Sequence, residues 1–383
     1  MRIKKLHLYP VSLVVNPDFV ITTTLGTHAF SKYVFVGLES VDGTIGWGEA
    51  TVVPQWSGET QAGALAIIRE YFEPLLIGRD ATDYDSIMQE IELMVIDNIF
   101  AKAAIEMALL DLVGKGTGQP VYKILGGNSN PHKIPIKFSI GLREPEDAAE
   151  IARQKVNSGF KAIKVKVSHD LEKDVARVRQ VREAIGPDVL LNIDVNGGWG
   201  VKESIRNIPK FCEFDLEYVE QPTARWDIDG MAEVRAKTDV PIMADETVFT
   251  VEQAMQVICK HAADLISVYP GKNGGMLNSR LICKMAESAG IACHIGSNLE
   301  WDIATSAMCH LAVSTTNIQV NEFPVDILGP LYYTTRLPGC PVLFKDGYVH
   351  LPEGPGLGLD FDASVIEELS HGIASSPPVM AQA

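Results

Sequence analysis

The chain has 383 residues, 46% hydrophobic and 21% charged, with a formal net charge of −16 at pH 7. That length and apolar content exclude a disordered or fibrous chain and call for a large packed core, while the acidic balance argues against a nucleic-acid partner, because phosphate recognition wants a basic face. No run of about 18 apolar residues is present, so no membrane span is expected, and six scattered cysteines (Cys212, Cys259, Cys283, Cys293, Cys309, Cys340) with no C-x-x-C pair read as reduced thiols of a cytoplasmic protein.

In chain order, MRIKKLHLYPV carries basic residues but no long apolar run behind them, and reads as a first strand rather than a signal peptide. KKLHLYPVSL, KYVFVGLESVDG and TIGWGEAT predict a three-stranded antiparallel meander with Asp42-Gly43 as a hairpin turn. Helices follow in QAGALAIIREYFEPLLIG, DYDSIMQEIELMV and NIFAKAAIEMALLDLVGKGTG. From about residue 135, eight runs with strand character recur: PIKFSIGL, AIKVKVS, VLLNIDVNG, LEYVEQP, VPIMADET, DLISVYPG, GIACHIGS and IQVNEFP, their starts 24 to 28 residues apart. Between them EDAAEIARQKVNSG, EKDVARVRQVREAIG and MLNSRLICKMAESAG carry apolar residues at three-and-four spacing and end on Gly. Eight strands alternating with helices predict an α/β fold, a (β/α)8 barrel of TIM type, and the even spacing favours closure over an open doubly wound sheet. After residue 330 short strands return in VLFKDGYVHL and are expected to pack back on the N-terminal layer, and the closing ASSPPVMAQA is expected to fray. Three parts result: an α+β capping domain over 1–128, the barrel over 129–325, and a C-terminal segment over 326–383 returning to the cap. GKNGG at 271–275 lacks the spacing of a phosphate-binding loop.

Active sites of parallel barrels lie at the C-terminal ends of the strands. The polar residues expected there are Lys164 and Lys166 on the second strand, Asp194 and Asn196 on the third, Glu220 on the fourth, Asp245 and Glu246 on the fifth, Lys272 on the sixth and Glu300 after the seventh. Asp194, Glu220 and Asp245 are 26 and 25 residues apart, so each of three neighbouring strands offers one acid at about the same height. Carboxylates brought together in this way repel unless a cation joins them. Oxygen donors suit Mg2+, with Mn2+ possible; no thiolate or His cluster that would favour zinc accompanies them, although His294 is on a neighbouring strand. A cation held there stabilises an enediolate, which makes a proton next to a substrate carboxylate removable. Lys164 and Lys166, two apart on a strand, share a face, and a lysine beside another cation has a lowered pKa. Lys166, nearer the strand end, is the expected base, Lys164 tunes it, and Lys272 approaches from the opposite side. A metal-free Schiff-base aldolase and a barrel that binds an acid without turnover stay open as alternatives.

These residues resemble the enolase superfamily, specifically the muconate lactonizing enzyme subgroup of the mandelate racemase/muconate lactonizing enzyme family. The likeness covers nearly the whole length: GWGEA (46–50) and AKAAIEMALLDLVGKGTGQPVYKILGG (101–127) resemble the capping segments, and the barrel matches at the K-x-K of Lys164 and Lys166 and at Asp194, Glu220, Asp245 with Glu246, and Lys272. The resemblance implies Asp194, Glu220 and Asp245 as Mg2+ ligands and Lys166 and Lys272 as acid/base groups on opposite faces. It also implies a small carboxylate substrate chosen by cap loops, here about 18–31 and 51–60. Asn196 and Glu246 would orient ligands or lysines, and His28, Trp56 and Trp301 would line the pocket. Dipeptide epimerases of the subgroup carry a D-x-D element near the eighth strand, whereas NEFPVDILGP has Asp326 alone. The mandelate racemase subgroup pairs a seventh-strand His with a sixth-strand Asp; here Lys272 stands on the sixth strand, and His294, short of its strand end, reads as a core histidine. That departure also disfavours a sugar-acid dehydratase. Three reactions are left: muconate-like cycloisomerisation, which leads because GSNLE with Glu300 resembles the cycloisomerases, racemisation or epimerisation of an amino-acid derivative or other carboxylate, and a syn-dehydration as in succinylbenzoate synthesis. A homo-oligomer is expected.

Overall fold

The computed structural model describes residues 1–24, 26–338 and 341–371; Cys340 and the ASSPPVMAQA stretch lie outside the described residues. The chain opens with strand β1 (Ile3–Val14), a small hairpin of β2 (Ile21–Thr23) and β3 (Gly26–His28), and then β4 (Phe30–Ser40) and β5 (Ile45–Val52). Strands β1, β4 and β5 pair antiparallel in that order. Asp42 and Gly43 make the β4–β5 turn: Asp42 Oδ1 accepts from Thr44 N at 3.0 Å, and Gly43 takes a φ of +90°, which costs little only for glycine.

The helix Ile99–Thr117 lies against β5, and the GWG of that strand is what lets it come so near. A Cβ at Gly48 would fall 1.9 Å from the carbonyl oxygen of Ala104, and one at Gly46 would fall 2.2 Å from that of Ala108. This helix is buried from Phe100 to Gly114, which explains why it is apolar on every side. Its buried acids tie the cap to the rest of the chain. Glu106 accepts from Leu277 N (3.2 Å) and from Met276 N at the start of the helix Met276–Ser288, and Asp111 accepts from Trp47 N (2.8 Å) and Leu357 N (2.7 Å).

After β6 (Lys133–Pro135), seven strands form one parallel sheet, each bonded to the next: β7 (Lys137–Ile140), β8 (Ala162–Lys166), β9 (Leu190–Asp194), β10 (Val219–Glu220), β11 (Ile242–Ala244), β12 (Leu265–Val268) and β13 (Ala292–Ile295). Helices return between them, as expected. The eighth position differs from the regular strand that IQVNEFP predicts. Ile318 bridges Cys293, Val325 bridges Ile136, and Asp326 N donates to Ile295 O at 2.9 Å while Lys137 N donates to Val325 O at 3.0 Å. The segment therefore joins both sheet edges and closes the barrel, but Pro324 has no N–H to give and interrupts the ladder.

Strands β14 (Leu343–Lys345) and β15 (Tyr348–His350) do not join the N-terminal layer as expected. They form a hairpin, and β15 pairs with β6, whose edge is open at the N-terminal end of the barrel. The later tail does reach the cap: the helix Ala363–His371 packs on β1, and the Phe361 ring lies 5.1 Å from that of Trp47. Among the described residues no helix is long and apolar enough to cross a membrane.

Candidate active site

Register decides where the acids fall. Glu220 is paired with Asp194 on one side and with Met243 on the other, and Asp245 lies two residues beyond Met243, on the same face. All three acids open, with Lys164, Lys166, Asn196 and Asp326, into a cavity of about 1100 Å3 between the barrel and the cap. The cap contributes the β2–β3 hairpin with His28, Lys32 from β4, and residues 52–56 with Trp56. Trp56 stacks on Tyr269 of the barrel, ring centres 5.6 Å apart.

Lysines and carboxylates alternate on the cavity floor. Lys166 Nζ donates to Asp194 Oδ2 at 2.5 Å. Lys164 Nζ lies 2.8 Å from Asp326 Oδ2, 3.1 Å from Glu220 Oε2 and 3.6 Å from Asp194 Oδ2. Lys272 Nζ donates to Asp245 Oδ1 (2.7 Å), Asp245 O (2.9 Å) and Ser267 O (2.7 Å). Lys164 stands between Asp194 and Glu220, and no three acidic, histidine or cysteine side chains among the described residues converge on one point.

The acids around Lys164 set its pKa. Burial works against its charge, but Asp326, Glu220 and Asp194 outweigh burial and hold its pKa well above the ordinary lysine value. Burial likewise opposes the charge of Asp194, yet Lys166 and Lys164 keep its pKa below the ordinary carboxylate value. Glu220 goes the other way, pushed up to about 7 by burial and then by the charge of Asp194.

Positions just beyond the strand ends carry strained backbone. Asn196, Gln221 and Leu299 are non-glycine residues at φ +48°, +40° and +67°. The strain aims useful groups. Asn196 N donates to Asp194 Oδ1 (2.9 Å), and its side-chain amide donates to Glu246 Oε1 (2.9 Å). Gln221 was not singled out in the sequence, although its Oε1 accepts from the backbone N–H of Asp245 (2.9 Å) and Thr247 (3.1 Å) and so fixes the start of the fifth-strand loop. Lys137 was missed as well. It is fully buried beneath the floor, bonded to Tyr218 Oη and to His294 Nε2 (2.9 Å), with Asp326 3.4 Å away. A lysine inside the apolar PIKFSIGL was the available signal, the same one that marks Lys164. His294 is a core residue, as read from its place within β13.

Several expected pocket residues lie elsewhere. Trp301 is a correction: it has no exposure, its indole donates to Thr335 O (3.0 Å), and its ring packs 5.5 Å from Phe35, because the helix Asp302–Ser314 that it precedes is wholly interior. Glu300 does not line the cavity either. Its carboxylate accepts from Ser297 Oγ (2.5 Å) and Asn298 N (3.2 Å), so it shapes the loop that does. Glu246 and Lys272 sit behind Asn196 and Asp245 rather than on the cavity wall. His28 and Trp56 line it.

Five carboxyl groups (Asp194, Glu220, Asp245, Glu246, Asp326) face four lysines (Lys137, Lys164, Lys166, Lys272), and Glu246 Oε2 is buried without a partner. This oxygen-only donor set, with an excess of acid, fits a hard divalent cation. A capped parallel barrel with such a cluster is the framework of a metal-dependent isomerase that works through an enolate. Comparison with known proteins places it further. The family described as "Enolase C-terminal domain-like" matches residues 147–365, and "Mandelate racemase / muconate lactonizing enzyme, N-terminal domain" matches residues 10–126. The chain is 31% identical to N-succinyl-L-Arg/Lys racemase of Bacillus cereus, covering 97% of this chain and 98% of that one. It is 33% identical to muconate cycloisomerase 1 of Rhodococcus opacus, covering 92% and 94%. The structure of a dipeptide epimerase from Enterococcus faecalis, complexed with Mg and the dipeptide L-Leu-L-Tyr, superposes with a TM-score of 0.88 at 32% identity, covering 94% of this chain and 99% of that one. The chain belongs to the enolase superfamily, within its mandelate racemase/muconate lactonizing enzyme family.

Proposed function

We propose that the chain is a one-base isomerase of this family, a cycloisomerase of a small unsaturated carboxylate of the muconate type, with Asp194, Glu220 and Asp245 holding Mg2+ or, in its place, Mn2+. The observation behind this reading is the unequal setting of two lysines. Lys166 lines the cavity and donates to one carboxylate. Lys272 is wholly buried, and its donations go to three oxygens, one of them a carboxylate. An ammonium has three protons to donate, and the three contacts of Lys272 all point away from the cavity, whereas a base must present its nitrogen to the substrate.

Bound at the three acids, the cation supplies a sink for negative charge on the substrate carboxylate. In the forward direction a carboxylate oxygen of the substrate forms the new C–O bond, and the displaced electron pair passes into the other carboxylate as an enolate. Lys166 then delivers its proton to the carbon next to that carboxylate, and in reverse it removes the same proton. Lys272 holds Asp245 from behind, and Lys164 holds Asp326 on the cavity floor. In this reading the cap loops 18–31 and 51–60 select the acid and the barrel performs the chemistry, so exchanging both loops changes the acid turned over. Cytoplasmic location and homo-oligomeric assembly belong to the same proposal, checked by cell fractionation and light scattering.

A two-base epimerase is the second reading, favoured by the likeness to a racemase and a dipeptide epimerase and by the position of Lys272 across the site from Lys166. Solvent deuterium exchange separates the two. The one-base reading expects Lys166→Ala to lose all exchange at the α-carbon and Lys272→Ala to keep slower exchange on the same face. Loss of exchange from a different antipode in each variant establishes the epimerase.

A further inference from the structure

Beneath the cavity floor a second layer of polar groups fills the inside of the barrel. Lys137 and Ser139 are two apart on β7 and point to the same side, and Ser139 is paired with Lys164, so Lys137 lies one layer lower. Both reach Asp326 of the closing segment. Ser139 Oγ donates to Asp326 Oδ1 (3.4 Å), and Lys137 Nζ lies 3.4 Å from Asp326 Oδ2, the oxygen that also accepts from Lys164 Nζ at 2.8 Å. Lys137 donates besides to Tyr218 Oη and to His294 Nε2 (2.9 Å). The residue is wholly buried, so its ammonium is costlier there than an apolar side chain of the same length. Burial lowers its pKa, and the charge of Asp326 opposes that. His294 carries a second mark of the same ammonium. An ammonium has no lone pair, so Nε2 accepts from it and the ring hydrogen sits on Nδ1. Nδ1 is buried without a partner among the described residues, whereas a hydrogen on Nε2 has the carbonyl oxygen of Pro324 3.3 Å away. Lys137 thus holds the ring in its less satisfied form.

We infer that Lys137 is a positioning residue for the reaction: it fixes Asp326 from below, and Asp326 fixes the ammonium of Lys164 on the cavity floor. Lys164 has three acids in reach, Asp326 at 2.8 Å, Glu220 at 3.1 Å and Asp194 at 3.6 Å. Under the proposed function Asp194 and Glu220 serve the cation, and Asp326 is the acid left to anchor Lys164. A carboxylate tied to both Ser139 and Lys137 keeps its place when those other contacts loosen. The inference rests on the enolate chemistry of that reading, and it holds whether one lysine or two move the proton. An enolate gathers more negative charge on the reacting carboxylate than the substrate has there, so a displaced Lys164 is missed more in the transition state than in the ground state.

The test uses the full chain, and its first half needs no substrate. Lysine- and histidine-labelled 15N spectra should show His294 as the Nδ1–H tautomer in the parent chain and as the Nε2–H tautomer in Lys137→Met, which removes the ammonium and keeps the length. The Lys164 ammonium signal, assigned by its absence from Lys164→Met, should shift in Lys137→Met and in Asp326→Asn. The second half is α-proton exchange of muconolactone in D2O with Mg2+. Lys137→Met should lower kcat for exchange by about 10- to 100-fold and change KM by less than about threefold. Combined with Asp326→Asn it should be no slower than Asp326→Asn alone, because both act through one carboxylate. If Lys137→Met does not fold, Lys137→Gln takes its place with the same expectations for the Lys164 signal and the kinetics. An Nε2–H tautomer in the parent chain, a Lys164 signal unmoved in both variants, an unchanged kcat, or losses that add in the double variant each overturn the inference. Failure of the enolate reading shows instead as no exchange in the parent chain, and it leaves the tautomer and the Lys164 signal as expected.

Discussion

Lys272 Nζ lies 2.7 Å from the carboxylate of Asp245 and 2.9 Å from the carbonyl oxygen of the same residue, so one ammonium grips both ends of a single acid. Removing it leaves Asp245 with an uncompensated charge and a free backbone acceptor. Lys272→Ala should lower kcat by about 10²- to 10³-fold, the usual cost of losing one preorganised electrostatic group, and should weaken Mg2+ binding through Asp245. Steady-state kinetics with a Mg2+ titration check this, and an unchanged Mg2+ affinity counts against the positioning role.

The acid cluster predicts strict metal dependence. Exhaustive dialysis against EDTA should abolish turnover, and Mg2+ or Mn2+ should restore it. Asp194→Asn, Glu220→Gln and Asp245→Asn should each weaken metal binding measured by calorimetry. Full activity in the dialysed protein rules out the cation.

The contact of Gly48 with Ala104 predicts a stability effect without any change at the site. Gly48→Ala has to move the helix Ile99–Thr117 off β5, since the added Cβ meets backbone at 1.9 Å, and overpacking of this kind costs about 2–3 kcal/mol. Gly43→Ala has open space around it but sits at φ +90°, so its cost should be smaller, about 1 kcal/mol. Denaturant unfolding of both variants gives the comparison, and equal losses contradict it.

Buried histidines predict a sensitivity to acid. Burial holds His28 and His310 at about 4 and His294 well below its ordinary value. An unfolded histidine titrates near about 6.5, so between that pH and about 4 the unfolded chain binds more protons than the folded one. This part of the stability is complete above about pH 6.5 and is lost as pH falls through that window, by about 2–3 kcal/mol for a fully buried group such as His310. Glu49 and Glu106, both pushed up to about 8 by burial, act in the opposite sense and weaken the fold as pH rises from about 4.5 towards 8. Comparing unfolding free energies of the parent chain and His310→Gln at several pH values isolates the histidine: the slope between pH 4 and 6.5 should flatten in the variant, and an unchanged slope contradicts the assignment.

The spacing of strands and acids was legible because each depends on a local signal. An apolar run followed by a carboxylate marks Asp194, Glu220 and Asp245, and the parallel register then brings them together. The closing segment was legible as a location but not as a shape, since the interruption at Pro324 is resolved only by hydrogen bonds to two strands far away in sequence. Gln221 and Leu299 carry no pattern: their importance lies in a positive φ and in backbone groups that they hold or present. Trp301 misled because a tryptophan near a strand end looks like a pocket wall, while its fate was set by Glu49, which accepts from its backbone N–H at 2.7 Å and draws it inward. The partner of Lys164 was not legible, because Asp326, its nearest carboxylate, lies 162 residues away.

The central claim is that one lysine moves the proton. The direct measurement is turnover of a muconate-type acid in D2O with Mg2+, followed by NMR of the lactone. The account predicts a single deuterium at the carbon next to the carboxylate, in one stereochemical configuration, with lactone exchange that needs Lys166 and survives Lys272→Ala at a reduced rate. Deuterium in both configurations, with each lysine variant silencing one of them, would contradict it.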